Sequence, residues 1–242
     1  MHESQHDASS PDKAEATILH GLGMSAFQRG NFKVALRFMS RACSFPDAPA
    51  LWHRDHAEIL DRSGDSEAAE AAARLALRRE PDCASAWETL GTILVQRGAL
   101  AESCACYEKA VEIDPTFFQA LNNLAVALDR LGQLKAAEAR YKQVLRLAPE
   151  SPDIQLNFAT LLGELGRYQE GLEIVRQVLD RHPNLMRAHS VASEFTRNLG
   201  RGGGSTPMRV ERALVIGPDQ NEMPSHRCGV FSRGRLRTIP RE

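Results

Sequence analysis

Two histidines, His53 and His56, stand three residues apart in the run HRDH. On a helix this spacing puts both imidazoles on one side, where they could share a metal ion. No third ligand stands at a suitable interval, so the pair reads as packing residues, partly buried between helices. Cys104 and Cys106 are two apart, and on a helix they point in different directions, so neither a shared metal nor a mutual disulfide is expected. The five cysteines are odd in number and irregularly spaced, which fits reduced thiols in a cytoplasm. The run RGGGS is rich in glycine, but no apolar strand precedes it and no lysine follows, so it reads as a flexible turn. No nucleophile elbow or metalloprotease motif is present. The expectation is a chain with no catalytic group, no metal and no cofactor.

Charge and hydropathy narrow the classes further. The 242 residues are 43% hydrophobic and 25% charged, with a formal net charge of −1, which is ordinary for a globular protein. The balance is uneven, because residues 200–242 hold eight arginines against four acids. Arg227, Arg233, Arg235, Arg237 and Arg241 make a basic tail, and nucleic-acid binding is not expected of it. No run of about eighteen apolar residues could span a membrane. The N-terminus MHESQHDASSPDKAEA is polar and acidic, unlike a secretory leader. A cytoplasmic chain is the expectation.

The elements that must position any site show themselves as a period. Gly30, Gly64, Gly98, Gly132, Gly166 and Gly200 lie 34 residues apart, as do Pro81, Pro115, Pro149 and Pro183. Seven residues before each glycine stands a small residue: Gly23, Ala57, Gly91, Ala125, Ala159 and Ser193. Nine after it come Met39, Ala73, Tyr107, Tyr141 and Val175. Leu121, Leu124, Ala125, Leu128 and Leu131 form one apolar helical face, and Ala137, Tyr141, Val144, Leu145 and Ala148 form another. Each glycine stands where a first helix ends in a left-handed turn, and each proline stops a second helix. Trp87, Tyr107 and Tyr141 sit on these packing columns and Trp52 beside one, so the aromatics read as core. One such hairpin cannot bury both its faces, but a stack of them can.

This pattern resembles the tetratricopeptide repeat family, most fully at Trp87, Leu90, Gly91, Leu94, Gly98, Tyr107, Ala110 and Pro115. The resemblance implies an all-α, right-handed α-solenoid of about six helix-turn-helix repeats with disordered termini. The repeats fall at 16–49, 50–83, 84–117, 118–151 and 152–185, with a degenerate sixth at 186–219. Residues 1–13 are expected to be a disordered segment, 14–219 the solenoid, and 220–242 a basic disordered tail. In the sixth repeat a helix over residues 207–217 would start late, capped by Ser205 or Thr206. Its apolar Val210, Leu214 and Ile216 lack a seventh repeat to cover them, which implies self-association through 207–217 or docking of the tail.

The resemblance also implies a function: a non-catalytic scaffold that binds a protein or extended peptide in a concave groove lined by the first helix of each repeat. An alternative implied by the same family is a truncated substrate-docking arm of a glycosyltransferase or sulfotransferase. Groove positions carried onto this chain are His20, Met24, Arg54, Asp55, Glu58, Arg62, Glu88, Thr89, Thr92, Asn122, Asn123, Val126, Asn157, Thr160, Ser190 and Glu194. Asn123 and Asn157 are equivalent in consecutive repeats, and an amide can clamp a peptide backbone. They look like a two-rung version of the asparagine ladder of O-linked N-acetylglucosamine transferases. Places where some relatives hold a lysine and arginine clamp carry Glu88, Asn122 and Asp153. The groove charges are mixed, so an uncharged or mixed-charge peptide is the expected partner.

Overall fold

The computed structural model describes residues 10–200, and every regular element in them is a helix. Five hairpins run in order: α1 (Ser10–Gln28) with α2 (Phe32–Cys43), α3 (Ala50–Arg62) with α4 (Ser66–Arg79), α5 (Ala84–Gln96) with α6 (Leu100–Ile113), α7 (Phe118–Arg130) with α8 (Leu134–Leu147), and α9 (Pro152–Glu164) with α10 (Tyr168–Arg181). A last helix, α11 (Met186–Gly200), follows. The expected twelfth helix, the RGGGS turn, residues 207–217 and the basic tail lie outside the described residues.

The breakers act as their spacing demands. Gly30, Gly64, Gly98, Gly132 and Gly166 have φ of 74°, 93°, 80°, 77° and 75°, a region costly for any residue with a Cβ. The residue after each glycine donates its N–H five residues back: Asn31 to Ala26, Asp65 to Leu60, Ala99 to Leu94, Gln133 to Leu128 and Arg167 to Leu162, all at 2.8–3.0 Å. These bonds close the first helix. The next helix starts at once, and Asn31 and Asp65 cap theirs with side-chain oxygens. Gly200 departs from this use. It is the last residue of α11 and has no left-handed φ.

Packing follows the small and large columns. Gly91 lies under the ring of buried Tyr107, where an added Cβ would stand 2.7 Å from the ring. Gly163 and Gly171 make the same room for Phe195, which also meets Tyr168 edge-on at 5.8 Å. Ala125 and Ala159 are fully buried, while Ser193 on α11 is exposed. Each helix packs on its neighbours in sequence. Each odd-numbered helix also reaches the next odd one, and no even helix among the described residues reaches another even one. The stack therefore curves with the odd helices on its inner face. No helix among the described residues is long and apolar enough to cross a membrane.

A second tether recurs at the loops. Trp87 Nε1 donates to the Pro81 carbonyl at 2.7 Å, Gln155 Nε2 to Pro149 at 2.8 Å, and His189 Nε2 contacts the Pro183 carbonyl at 2.6 Å. His53 holds the same column in the second repeat, but Arg79 takes the loop carbonyls of Pro46 and Ala48 there. His53 Nε2 is left buried without a partner. Burial, with the Arg79 charge beside it, pushes the imidazole down to about 4, so it is neutral near pH 7.

Candidate partner-binding groove

Two adjacent columns on the odd helices build the inner face. The first runs His20, Arg54, Glu88, Asn122 and Leu156; the second runs Gly21, Asp55, Thr89, Asn123, Asn157 and Val191. A side chain of the first column meets the second column of the next repeat, 35 residues on. His20 Nε2 lies 2.7 Å from Asp55 Oδ2, Asn123 Nδ2 donates to Glu88 Oε1 at 2.8 Å, and Asn157 Nδ2 donates to Asn122 Oδ1 at 3.1 Å. Asn122 also donates to Asn123 at 3.3 Å, which joins two of these rungs. At the last junction the rung is apolar, because Leu156 and Val191 share one core cluster. The result is a polar zip between successive repeats, with no unsatisfied amide among the three asparagines.

Between the second and third repeats these two columns form no rung, although Gln96 Nε2 donates to Asp61 Oδ2 at 2.7 Å further along the same two helices. Arg54 turns back along its own helix, to Asp55 at 2.7 Å and Glu58 at 3.3 Å. Thr89 closes on the Ser85 carbonyl at 2.9 Å. Arg54 and Glu58 are consequently half-buried and outside the zip, and Glu88, also half-buried, zips only forward to Asn123. Burial pushes the Glu88 carboxyl up to about 7 against the hydrogen bonds from Thr92 and Asn123, and the nearby Glu58 charge adds to the rise. Glu58 is raised for the same first reason, burial, with Asp55 and Asp61 adding and Arg54 and Arg62 opposing. The seam holds more carboxylates than cations in a poorly solvated place, so an incoming positive charge would be favoured there.

The groove positions read from the sequence were expected to be free for binding, and the structure revises that. Asn122, Asn123, Asn157, Val126, Thr92 and Thr160 are all buried. Thr92 bonds Glu88 and the Tyr107 hydroxyl, each at 3.1 Å, and Thr160 closes on the Leu156 carbonyl at 2.8 Å. Asp55 is buried between His20 and Arg54, and Glu194 is also buried. Met24 is half-buried, and Arg62 and Ser190 are exposed. The physical reason is the close approach of the odd helices, which lets short side chains on facing columns reach one another before any partner does. Three participants were missed. Trp52 stacks on His20 at 4.9 Å, Arg187 donates to Asn157 and pairs with Asp153, and the Tyr141 hydroxyl is buried without a partner.

The reactive residues singled out at the start are dispersed. His56 Nε2 sits 3.2 Å from Ser40 Oγ, away from any shared ligand with His53. Cys43, Cys104 and Cys106 are free thiols that burial pushes up, to about 12, 11 and 11, so they are poor nucleophiles.

Comparison with known proteins bears on this architecture. Three tetratricopeptide repeat models match, at residues 54–116, 106–139 and 130–193. Together they run from 54 to 193, more than half of the chain. Among solved structures, a thermophilic TPR protein of Thermus thermophilus has a TM-score of 0.62 at 19% identity, over 75% of this chain and 99% of that one. MamA of Desulfovibrio magneticus has a TM-score of 0.62 at 17% identity, over 71% and 97%. A chain of the APC/C hetero-tetramer Cut9–Hcn1 has a TM-score of 0.67 at 14% identity, over 76% of this chain and 36% of that one. At these identities the likeness concerns the fold. No curated protein matches by sequence. With its period, its left-handed glycine turns and its stacked hairpins, the chain belongs to the tetratricopeptide repeat family.

Proposed function

We propose that the chain is a non-catalytic adaptor that takes a protein or peptide segment into its inner face, centred on the seam between α3 and α5. The supporting observation is the missing rung. Polar side chains line that junction as they do its neighbours, and Gln96 closes on Asp61 at one end of it, yet Arg54, Glu58 and Glu88 do not close across it. Elsewhere the inner face is rigidified by its own hydrogen bonds, which lowers the ordering cost of binding at the open seam. The partner segment is mixed in charge and carries a cationic side chain to set between Glu58 and Glu88.

The test compares two variants on a partner captured by the wild-type chain and then identified and purified. E58Q/E88Q keeps the shape and hydrogen-bonding capacity of the seam but removes its charge. It is expected to weaken binding about tenfold, or about 1.4 kcal/mol. E102A/K109A, on the outward face of α6, is expected to bind as wild type does. Equal affinity of the seam variant and the wild type would move the site off the inner face.

A further inference from the structure

The α3–α5 seam has a deeper end than its half-buried carboxylates. Asp61 stands one turn beyond Glu58 on α3 and is nine-tenths buried. Its Oδ2 accepts from Gln96 of α5, so the carboxyl points into the cleft between the two helices, yet its Oδ1 has no partner. Glu88 lies across the cleft, near enough for the Glu58 charge to act on it. Burial is the first cause that raises all three carboxyls. The local cations are engaged: Arg54 pairs with Asp55 and Glu58, and Arg62 lies over the Phe27 ring, 5.9 Å from its centre. A guanidinium entering the seam would bring five donors to acceptors that lack them.

The chain carries such groups itself. Residues 220–242 hold five arginines against two glutamates, and Arg233, Arg235 and Arg237 alternate with Gly234 and Leu236. In an extended segment alternate side chains share one side at a spacing of about 6.6 Å. Carboxylates one helical turn apart, as Glu58 and Asp61 are, stand at a similar spacing of roughly 5 Å. Reach is not limiting. The 32 residues of 201–232 extend to about 100 Å, while three helix spacings of about 10 Å lead from α11 back to α5 along the inner face. The outer face of α6 also bears acids, but Glu102 and Glu108 are exposed, and water and salt screen them. The same charges attract more strongly in the half-buried seam.

We propose that the chain's own basic tail docks in the α3–α5 seam, with Arg233, Arg235 and Arg237 set among Glu58, Asp61 and Glu88, and that an external partner must displace it. The idea rests on the seam being the partner's site. A tethered segment acts at an effective concentration on the order of 1 mM. A tail with a Kd of about 0.1 mM would then be docked about nine-tenths of the time and would weaken a competing ligand about tenfold. The contact is therefore weak in itself, and the tether makes it a threshold that favours partners with more than a few arginines to offer.

The test uses the full chain and a fluorescent peptide of residues 229–242, with circular dichroism to confirm folding. R233Q/R235Q/R237Q disables the chain's own tail without adding charge. In fluorescence anisotropy the peptide should bind this variant about tenfold more tightly than it binds wild type, whose seam is already occupied. Adding E58Q/E88Q to the tail variant should weaken the peptide about tenfold, and adding E102Q/E108Q should not. The same peptide with glutamine for every arginine should not bind. Equal peptide affinity for wild type and the tail variant overturns the proposal. So does binding that E58Q/E88Q leaves unchanged or that E102Q/E108Q weakens, since either places the tail elsewhere, and so does a peptide that binds neither chain. The partner's affinity for E58Q/E88Q tests the seam separately: if it falls while the peptide results fail, the tail proposal alone is lost.

Discussion

Tyr107 and Tyr141 hold the same column one repeat apart, and their hydroxyls meet different fates. The Tyr107 hydroxyl lies 3.1 Å from Thr92 Oγ1, whereas the place equivalent to Thr92 beside Tyr141 is Val126, and that hydroxyl is buried without a partner. A made hydrogen bond contributes about 0.5–1.5 kcal/mol, and an unmade buried one is a penalty. Y107F should therefore lose about 1 kcal/mol in urea unfolding, while Y141F should be neutral or stabilising. Glu88 gives a second residue-scale outcome. Its carboxyl is raised from 4.5 to about 7 in the folded chain, so between those pH values the folded state keeps a proton that the unfolded state has lost. Stability must then fall as pH rises through that window. E88Q retains an oxygen that can accept from Thr92 and Asn123. It should flatten this fall and be more stable than wild type at pH 8, with little difference at pH 4, as read from urea midpoints at each pH.

At the scale of the helix, glycines that look alike in sequence do different work. Gly91 leaves 2.7 Å between an added Cβ and the Tyr107 ring, so G91A should cost about 1–3 kcal/mol through overpacking. Gly21 lies within α1 with open space around it, so G21A should stabilise by about 0.5–1 kcal/mol; thermal unfolding of the two variants reads both signs. The columns behind these cases were legible in the sequence because each depends on one position per repeat: a left-handed glycine, a helix-ending proline, a small residue under a large one. The zip of the inner face was not legible in the same way. Asn123 aligns with Asn157 because they are 34 residues apart, yet Asn123 bonds Glu88 and Asn157 bonds Asn122, each 35 away. That offset is set by how far one helix slides along the next, which a column of equivalent positions does not record. The asparagines bond within the stack, and N123A/N157A should lower stability by about 1–3 kcal/mol, an effect that a role confined to clamping a peptide would not produce. The half-buried seam at Arg54 and Glu58 was hidden for a related reason, since what sets it apart is a bond that fails to form between Arg54 and Thr89.

At the scale of the whole molecule, each repeat is supported by its neighbours alone, so local stability should vary along the stack. The largest apolar cluster joins α5–α9 through residues such as Tyr107, Leu121, Leu124, Tyr141, Ile154 and Phe158. Amides of α7 and α8 should therefore exchange most slowly, and those of α1, open on one face, and α11 most quickly. A stack built this way offers a partner one continuous inner face of odd helices and one outer face of even helices, and the central claim is that the partner uses the inner face at the α3–α5 seam. The most direct measurement is amide hydrogen exchange of the chain with and without its purified partner. Added protection is expected in α3 and α5, falling away along the inner helices on either side. Protection confined to α4, α6 and α8 would contradict it.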